Sequence, residues 1–193
     1  MTDQKTSKKE QRRQQLEKDK RKRNLTIGVP IILVVVVLAA MGIYRFRPVK
    51  GTIDFGAQER NHDLEAEFVS ADAPPVGGSH NPGWQNCGIY DVPVDDSLAV
   101  HALEHGAVWL TYSSDLSPDV IDELQQSLWD DSYILMSPYP DQASDIVMSA
   151  WGTQLEIAAY PDERIEEFID RYRGGGPEPG ASCSGGVGTP INS

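Results

Sequence analysis

The 20 residues 25–44 contain no charged side chain, and this run constrains the fold more than any other feature of the sequence. They read LTIGVPIILVVVVLAAMGIY, and a helix of about 20 apolar residues is long enough to cross a bilayer. The apolar core of a cleaved signal peptide is shorter, about 7 to 15 residues, and small residues follow it. Arg45 and Arg47 follow this run instead. We therefore predict an uncleaved transmembrane helix over residues 25–44 rather than a signal peptide.

Charge is distributed very unevenly on the two sides of the predicted span. Residues 1–24 hold ten Lys or Arg and four acids, whereas residues 51–193 hold four basic residues and 25 acids, a net charge of −21. Basic flanks stay on the cytoplasmic side, so the sequence predicts a single-pass plasma-membrane protein with a cytoplasmic N-terminus and an extracytoplasmic C-terminal domain. So acidic a domain repels nucleic acid. We therefore expect the membrane as a partner and no nucleic acid.

The chain after the span carries helix and strand signals for one domain. A long Pro- and Gly-rich loop, residues 70–93, follows a polar stretch with one short strand. The expected elements after it are a helix over 97–105, a strand over 107–112, a helix from 117, strands over 133–136 and 145–159, and a helix over 162–173. The second of these helices starts at Ser117-Pro118, and Gly152 divides the last strand region in two. This order predicts a small α+β domain with a largely antiparallel sheet and two or three helices.

Composition thus divides the chain into five segments. They are a basic cytoplasmic tail (1–24), a transmembrane helix (25–44), a juxtamembrane segment that enters the domain (45–69), an extracytoplasmic α+β domain (70–173), and a Pro/Gly-rich tail (174–193).

All four histidines lie within 44 residues of one another along the chain. His101 and His105 are spaced i, i+4, so they share one face of the predicted helix and both imidazoles can reach one ion. His80 lies in the Pro/Gly loop, which can bring a third imidazole to that helix. The sequence therefore predicts a metal site with His80, His101 and His105 as ligands. Further candidate ligands are Glu104, His62, Met136 and Met148.

We expect the ion to be copper or zinc, with copper slightly favoured. Imidazoles suit both ions, and a thioether from Met136 or Met148 would favour Cu(I), although core packing is the commoner role of such methionines. Each histidine also has a structural interpretation. His101 and His105 can be cations at a helix C-terminus with Glu104 as an ion-pair partner, and His80 can bond to backbone carbonyls of its loop. For His62, an ordinary exposed histidine is the favoured interpretation.

The two cysteines, Cys87 and Cys183, both follow the span, where an oxidising compartment permits disulfides. We predict a bridge between them, closing a loop of about 96 residues and stabilising the fold by about 4–5 kcal/mol in the chain-entropy model. The alternative is a thiolate ligand at Cys87, as in blue-copper sites. It is disfavoured because no His or Met follows Cys87 closely.

An enzyme is the third possibility, because His101, Glu104 and His105 match the inverted zincin pattern His-x-x-Glu-His. In such sites the histidines bind zinc and the glutamate acts as base. The match is short, however, and Gly106 ends the predicted helix at once. No Gly-x-Ser-x-Gly elbow, phosphate loop or dinucleotide fingerprint is present, so we expect a binding protein rather than a hydrolase.

Several motifs resemble one known family. They are PPVGGSH (74–80), WQNCGIYD (84–91), HALEHG (101–106), SAWG (149–152) and GPE (176–178). In this order they look like the DUF3105 family, and the resemblance covers nearly the whole outer domain. It implies a bacterial, membrane-anchored, extracytoplasmic domain, and the family's name leaves its function undefined.

The sequence thus favours a membrane-anchored, extracytoplasmic protein that binds a transition metal, in copper handling or in the maturation of a respiratory complex. The alternative is a structural or partner-binding module of an envelope complex, in which the histidines serve the fold. Respiratory-complex maturation and the structural alternative would each involve a membrane protein complex as partner, and neither function predicts an oligomeric state.

Overall fold

The computed structural model describes residues 3–68 and 72–192, and the chain forms two compact units, Met1–Arg47 and Pro48–Ser193. The first unit is one helix, α1 (Asp3–Phe46). Its segment Arg12–Gly42 is long and apolar enough to cross a membrane. The large apolar side chains between Leu25 and Met41 are all exposed, as the surface of a membrane-spanning helix is. The predicted helix over residues 25–44 is therefore confirmed as part of α1.

The described part of the second unit contains six strands and three helices. In chain order they are β1 (Ile53–Asp54), β2 (Gly88–Ile89), α2 (Asp96–Glu104), β3 (Val108–Tyr112), α3 (Pro118–Leu128), β4 (Ile134–Pro138), β5 (Ile146–Ala150), β6 (Thr153–Ile157) and α4 (Arg164–Tyr172). The strands form one sheet in the order β1-β6-β5-β3-β4-β2. The predicted α+β class with a mostly antiparallel sheet is confirmed.

The sheet contains an antiparallel and a parallel part. β1, β6, β5 and β3 are antiparallel neighbours, whereas β4 runs parallel to both β3 and β2. The connection from β3 to the parallel strand β4 passes through α3, as a parallel crossover requires. β2 lies inside the loop predicted over 70–93 and has only two residues, so it carries no pattern that sequence can detect. The predicted boundary between residues 69 and 70 lies outside the described residues.

The two faces of the sheet carry different helices. α3 and α4 cover one face with Leu124, Phe168 and their neighbours, and α2 covers the other with Leu103 against Trp109. Successive strand residues alternate between these faces. Met136 and Met148 belong to the α3/α4 face and are fully buried there. Both methionines therefore fill the core on the face opposite α2.

α2 is bounded by a cap at each end. The side chain of Asp95 accepts hydrogen bonds from the backbone N–H groups of Ser97 and Leu98, which satisfies donors that the first turn leaves free. After Glu104 the chain turns at Gly106, whose φ of +98° lies in the left-handed region that glycine tolerates best. The predicted helix and its glycine stop are therefore confirmed, and the last turn of α2 ends beside the tail of the chain.

The Pro/Gly-rich tail packs closely on the end of α2. The backbone N–H of Glu178 donates to the carbonyl oxygen of Glu104 at 3.1 Å, and that of Gly174 donates to Gly106 at 2.8 Å. A Cβ at Gly176 would lie 2.2 Å from the carbonyl oxygen of Glu104, so only glycine permits this approach. The tail is therefore a structural part of the α2 end.

Cys87 and Cys183 form the predicted disulfide, with Cα atoms 5.3 Å apart and a sequence separation of 96 residues. The backbone N–H of Cys87 also donates to the carbonyl oxygen of Cys183 at 2.8 Å. The bridge leaves no thiolate at Cys87, so the alternative of a cysteine ligand is wrong. It joins the tail to the loop that carries His80.

Candidate metal centre

The last turn of α2 and its C-cap residue supply three buried side chains with metal-binding atoms, which are His101, Glu104 and, at the cap, His105. The i, i+4 spacing of the histidines places their ring centroids 4.6 Å apart. Glu104 is only 2% exposed. A carboxylate this deeply buried is costly unless a positive charge compensates it.

The chain before α2 brings His80 and His62 to the same place. The N–H of His80 donates to the carbonyl oxygen of Asn61 at 2.9 Å, and the N–H of Asp63 donates to that of His80 at 2.7 Å, so the two segments pair like short strands. The pairing sets His62 beside His80 and stacks its ring on His101, with centroids 4.7 Å apart. His80 is fully buried, whereas the side chain of His62 is 44% exposed.

Backbone carbonyls hold three of the four imidazoles in one tautomer. Nδ1–H of His80 donates to Gly78 at 2.7 Å, Nδ1–H of His101 donates to Asn81 at 2.8 Å, and Nδ1–H of His105 donates to the carbonyl of Ser182 at 2.7 Å. A carbonyl oxygen accepts only, so each Nδ1 carries the hydrogen. In a neutral ring this leaves a lone pair on Nε2. Metal-binding histidines are oriented in the same way by a hydrogen bond from the other nitrogen.

Glu104 faces the Nε2 lone pair of His80 and also lies near His62. Its Oε2 lies 3.0 Å from Nε2 of His80 and 3.5 Å from Nε2 of His62, and its Oε1 lies 3.6 Å from Nε of Arg60. If His80 is neutral, Nε2 and Oε2 are both acceptors. Their contact in a buried place therefore needs a positive charge between them, either a proton or a metal ion.

Burial lowers the pKa of His101, because it disfavours the charged imidazolium. The hydrogen bond to the carbonyl of Asn81 opposes this effect, and the neighbouring His105, His80 and His62 add to it. His101 is therefore neutral at neutral pH, and its Nε2 lone pair is available to an ion.

The potential ligand atoms form two overlapping groups among the described residues. One group contains His62, His80, His101 and Glu104, and the other contains His101, His105 and Glu178. Within each group the ligand atoms all lie within 4.8 Å of one another. Tetrahedral ligand atoms on zinc are about 3.4 Å apart at bond lengths of 2.0–2.1 Å. The side chains of either group would therefore have to move by about 1 Å to bind one ion.

The structure therefore brings the predicted ligands together in a different combination. His80 and His101 share a group with His62 and Glu104, which the sequence offers only as additional candidates. His105 falls in the other group, beside Glu178, with 3.6 Å between Nε2 of His105 and Oε2 of Glu178. The two histidines of the His-x-x-Glu-His motif thus share a group that does not contain Glu104. Glu104 lies in the first group, where it is a ligand candidate.

Two residues at these groups, Arg60 and Glu178, are not predicted as site residues from the sequence. Arg60 lies in a polar stretch with no periodicity, so no signal points to it. Glu178 has a usable signal, because it lies five residues before Cys183 in the tail that the disulfide ties to the His80 loop. Glu178 is the single acidic residue of the tail, so the disulfide together with this carboxylate indicates its place near the His80 loop.

Three features define the class of this protein. They are an acidic α+β domain, a buried cluster of histidines and glutamate within it, and a preceding helix able to cross a membrane. The chain belongs to the DUF3105 family, described as a protein of unknown function, whose model matches residues 63–185. The match includes the candidate ligands His80, His101, Glu104, His105 and Glu178, and begins one residue after His62. No curated protein and no solved structure matches the chain.

Proposed function

We propose that the C-terminal domain binds one divalent transition-metal ion through His62, His80, His101 and Glu104, here called the inner position. The observation that carries this proposal is the contact of 3.0 Å between Nε2 of His80 and Oε2 of Glu104. Both atoms are acceptors when His80 is neutral, both side chains are buried, and the Nδ1–H of His80 is already engaged. A divalent ion between them satisfies both lone pairs and compensates the buried carboxylate.

The donor set selects the kind of ion. Three imidazole nitrogens and one carboxylate oxygen suit Zn(II) and Cu(II). Cu(I) prefers sulfur ligands, but Met136 and Met148 are buried on the other face of the sheet and both cysteines are in the disulfide. The preference for copper over zinc from the sequence therefore changes to a preference for a divalent ion, with zinc first.

Four protein ligands favour binding over catalysis. Catalytic zinc sites keep a position open for water or substrate, whereas closed four-ligand sites hold the ion. We therefore assign the domain to metal handling at the membrane, a role that includes the maturation of a metal-dependent membrane complex. Two features support a cytoplasmic N-terminus and an extracytoplasmic domain. They are the ten basic residues before the span and the disulfide after it.

The test is calorimetric titration of the metal-free, full-length chain in detergent with Zn(II) and, separately, with Cu(II). We expect one ion per chain, with the affinity reduced at least about tenfold in Glu104→Gln, because a carboxylate ligand is lost. Glu123→Gln removes the same charge from an exposed site on α3 and should bind like the wild type. Absence of binding in the wild type, or equal binding by Glu104→Gln, would contradict the proposal.

A structural role is the second candidate, because a proton on His80 satisfies the same contact. In that case His80 and Glu104 form a buried ion pair, which the half-exposed Arg60 flanks, and this pair stabilises the fold for a binding partner. Melting of the metal-free chain separates the two functions. A fall in melting temperature for Glu104→Gln with no response of the wild type to any metal supports the structural role.

A further inference from the structure

The second group of ligand atoms lies beside the inner position and differs from it in exposure. Nε2 of His105 lies 3.6 Å from Oε2 of Glu178, and the side chain of Glu178 is 44% exposed. Glu104, the carboxylate of the inner position, is only 2% exposed. The two groups therefore offer one buried and one solvent-accessible carboxylate.

His101 belongs to both groups. Its Nδ1–H donates to Asn81, so Nε2 is the nitrogen that remains for an ion. One lone pair binds one ion at a time. The two groups therefore cannot both use His101 at the same moment. The ring centroid of His101 lies 4.9 Å from that of His80 and 4.6 Å from that of His105.

We infer that His101, His105 and Glu178 form a second, outer position for the same ion, and that the ion moves between the two positions while it stays bound to His101. This inference rests on the proposed function of the inner position. In the transfer, the bonds from the ion to His62, His80 and Glu104 break, and bonds to His105 and Glu178 form. One carboxylate replaces another, so the charge around the ion is conserved and no electron is transferred.

The number of ligands gives the two positions different roles. The inner position has four protein ligands and is closed, whereas the outer position has three and leaves one coordination site open. Water, a chelator or a side chain of an acceptor protein can occupy that open site. The inner position therefore stores the ion, and the outer position exchanges it with the outside.

The tail holds the outer position in place through independent contacts. The carbonyl of Ser182 orients the ring of His105, and the backbone N–H of Glu178 donates to the carbonyl of Glu104. The disulfide of Cys183 fixes the segment that carries Ser182. Glu178 is thus placed by the backbone of the same turn that carries the inner ligand Glu104.

Transfer kinetics test the outer position. The full-length chain in detergent is loaded with one Zn(II), and the loss of zinc to an excess of a chromogenic chelator is followed in a stopped-flow instrument. Glu178→Gln should keep the equilibrium affinity within about threefold but slow the transfer by about tenfold or more, since an outer ligand is lost. Glu166→Gln, an equal change at an exposed site on α4, should transfer zinc like the wild type. Equal rates in wild type and Glu178→Gln would overturn the inference.

A second set of variants separates this inference from the proposed function. In Glu104→Gln/His80→Phe the inner position is destroyed, and we expect one weaker Zn(II) site that the additional change Glu178→Gln abolishes. If the double variant binds no zinc although it melts cooperatively with its disulfide intact, the outer position is refuted while the inner one stands. If Glu104→Gln has no effect and Glu178→Gln alone abolishes binding, the inner position is refuted and the outer group is the only site.

Discussion

Nε2 of His80 lies 3.0 Å from Oε2 of Glu104, with both side chains buried and the other nitrogen of the ring already donating to the carbonyl of Gly78. The pair joins the Pro/Gly loop to the last turn of α2 across 24 residues of sequence. A buried carboxylate beside an imidazole lone pair needs a positive charge between them, which a proton or a metal ion supplies. If a metal ion takes the place of the proton, the stability of the domain should depend on whether that ion is bound.

Binding of a divalent ion should raise the melting temperature. A ligand that binds only the folded state adds about 2.7 kcal/mol of stability at a concentration of 100 Kd. For a chain of this size that corresponds to roughly 5–10 °C. Differential scanning fluorimetry of the metal-free chain with Zn(II) measures the shift. Mg(II), which prefers octahedral oxygen ligands, is the control and should produce none, and an equal shift with Mg(II) would show that the cluster does not select its ion.

The ion pair between Asp162 and Arg164 should make stability depend on acid pH. The Arg164 guanidinium donates to Asp162 and lowers the pKa of that carboxyl. A carboxyl whose pKa is depressed in the folded state stabilises the fold above its ordinary pKa of about 3.9, and this contribution is lost as the pH falls through the depressed value. Asp162→Asn should therefore lower the free energy of unfolding at pH 7 by about 0.5–1 kcal/mol.

Denaturant unfolding at several pH values tests this contribution. The difference between wild type and Asp162→Asn should shrink as the pH is lowered below about 4. A difference that stays constant down to pH 2 would show that Asp162 acts by packing or helix capping rather than by its charge.

Loss of the disulfide should destabilise the domain and loosen the outer position. Replacing Cys87 and Cys183 by serine should lower the free energy of unfolding by about 2–5 kcal/mol. Because the carbonyl that holds His105 belongs to Ser182, zinc transfer should slow as well. Chemical denaturation with and without a reductant measures the first effect, and the reductant should leave the double serine variant unchanged. Equal unfolding midpoints of wild type and variant would contradict the stabilising role of the bridge.

Gly176→Ala should displace the tail from α2. The added Cβ would lie 2.2 Å from the carbonyl oxygen of Glu104 and 2.5 Å from the backbone nitrogen of Gly106, and backbone atoms cannot move aside cheaply. Gly180→Ala is the control, since it meets no atom within 4 Å but has a φ of +84° and should cost only about 1–2 kcal/mol. Denaturant unfolding should give a larger loss for Gly176→Ala. A smaller loss would show that the tail shifts freely.

Cysteine labelling of intact cells should report the orientation of the chain. A cysteine in place of Gln14, among the basic residues before the span, should be protected from a membrane-impermeant maleimide, because positive flanks remain in the cytoplasm. A cysteine in place of Glu123, exposed on α3, should be labelled. Labelling of the Gln14 position alone would reverse the proposed topology.

The sequence predicts more of the fold than of the candidate metal site. The helix from Ser117, with Leu124 and Leu128 on its buried side, and the α2 helix that stops at Gly106 follow from periodicity and caps, which act within a few residues. β2 is not predicted, because two residues are too few to show the alternation of a strand. His62 is treated as an ordinary exposed histidine because its polar stretch has no pattern, whereas its place in the group depends on the backbone pairing with His80.

The sequence by itself determined the apolar helix α1, the α+β order, the disulfide and the i, i+4 pair on α2. Each depends on local pattern, composition or the count of a rare residue type. Only the tertiary structure decided that His101 is shared, with Glu104 and His80 on one side and His105 and Glu178 on the other. The reason is that these neighbours are brought together by long-range backbone pairing, by close packing at Gly176 and by the disulfide. None of these contacts produces a repeating pattern of residues in the sequence.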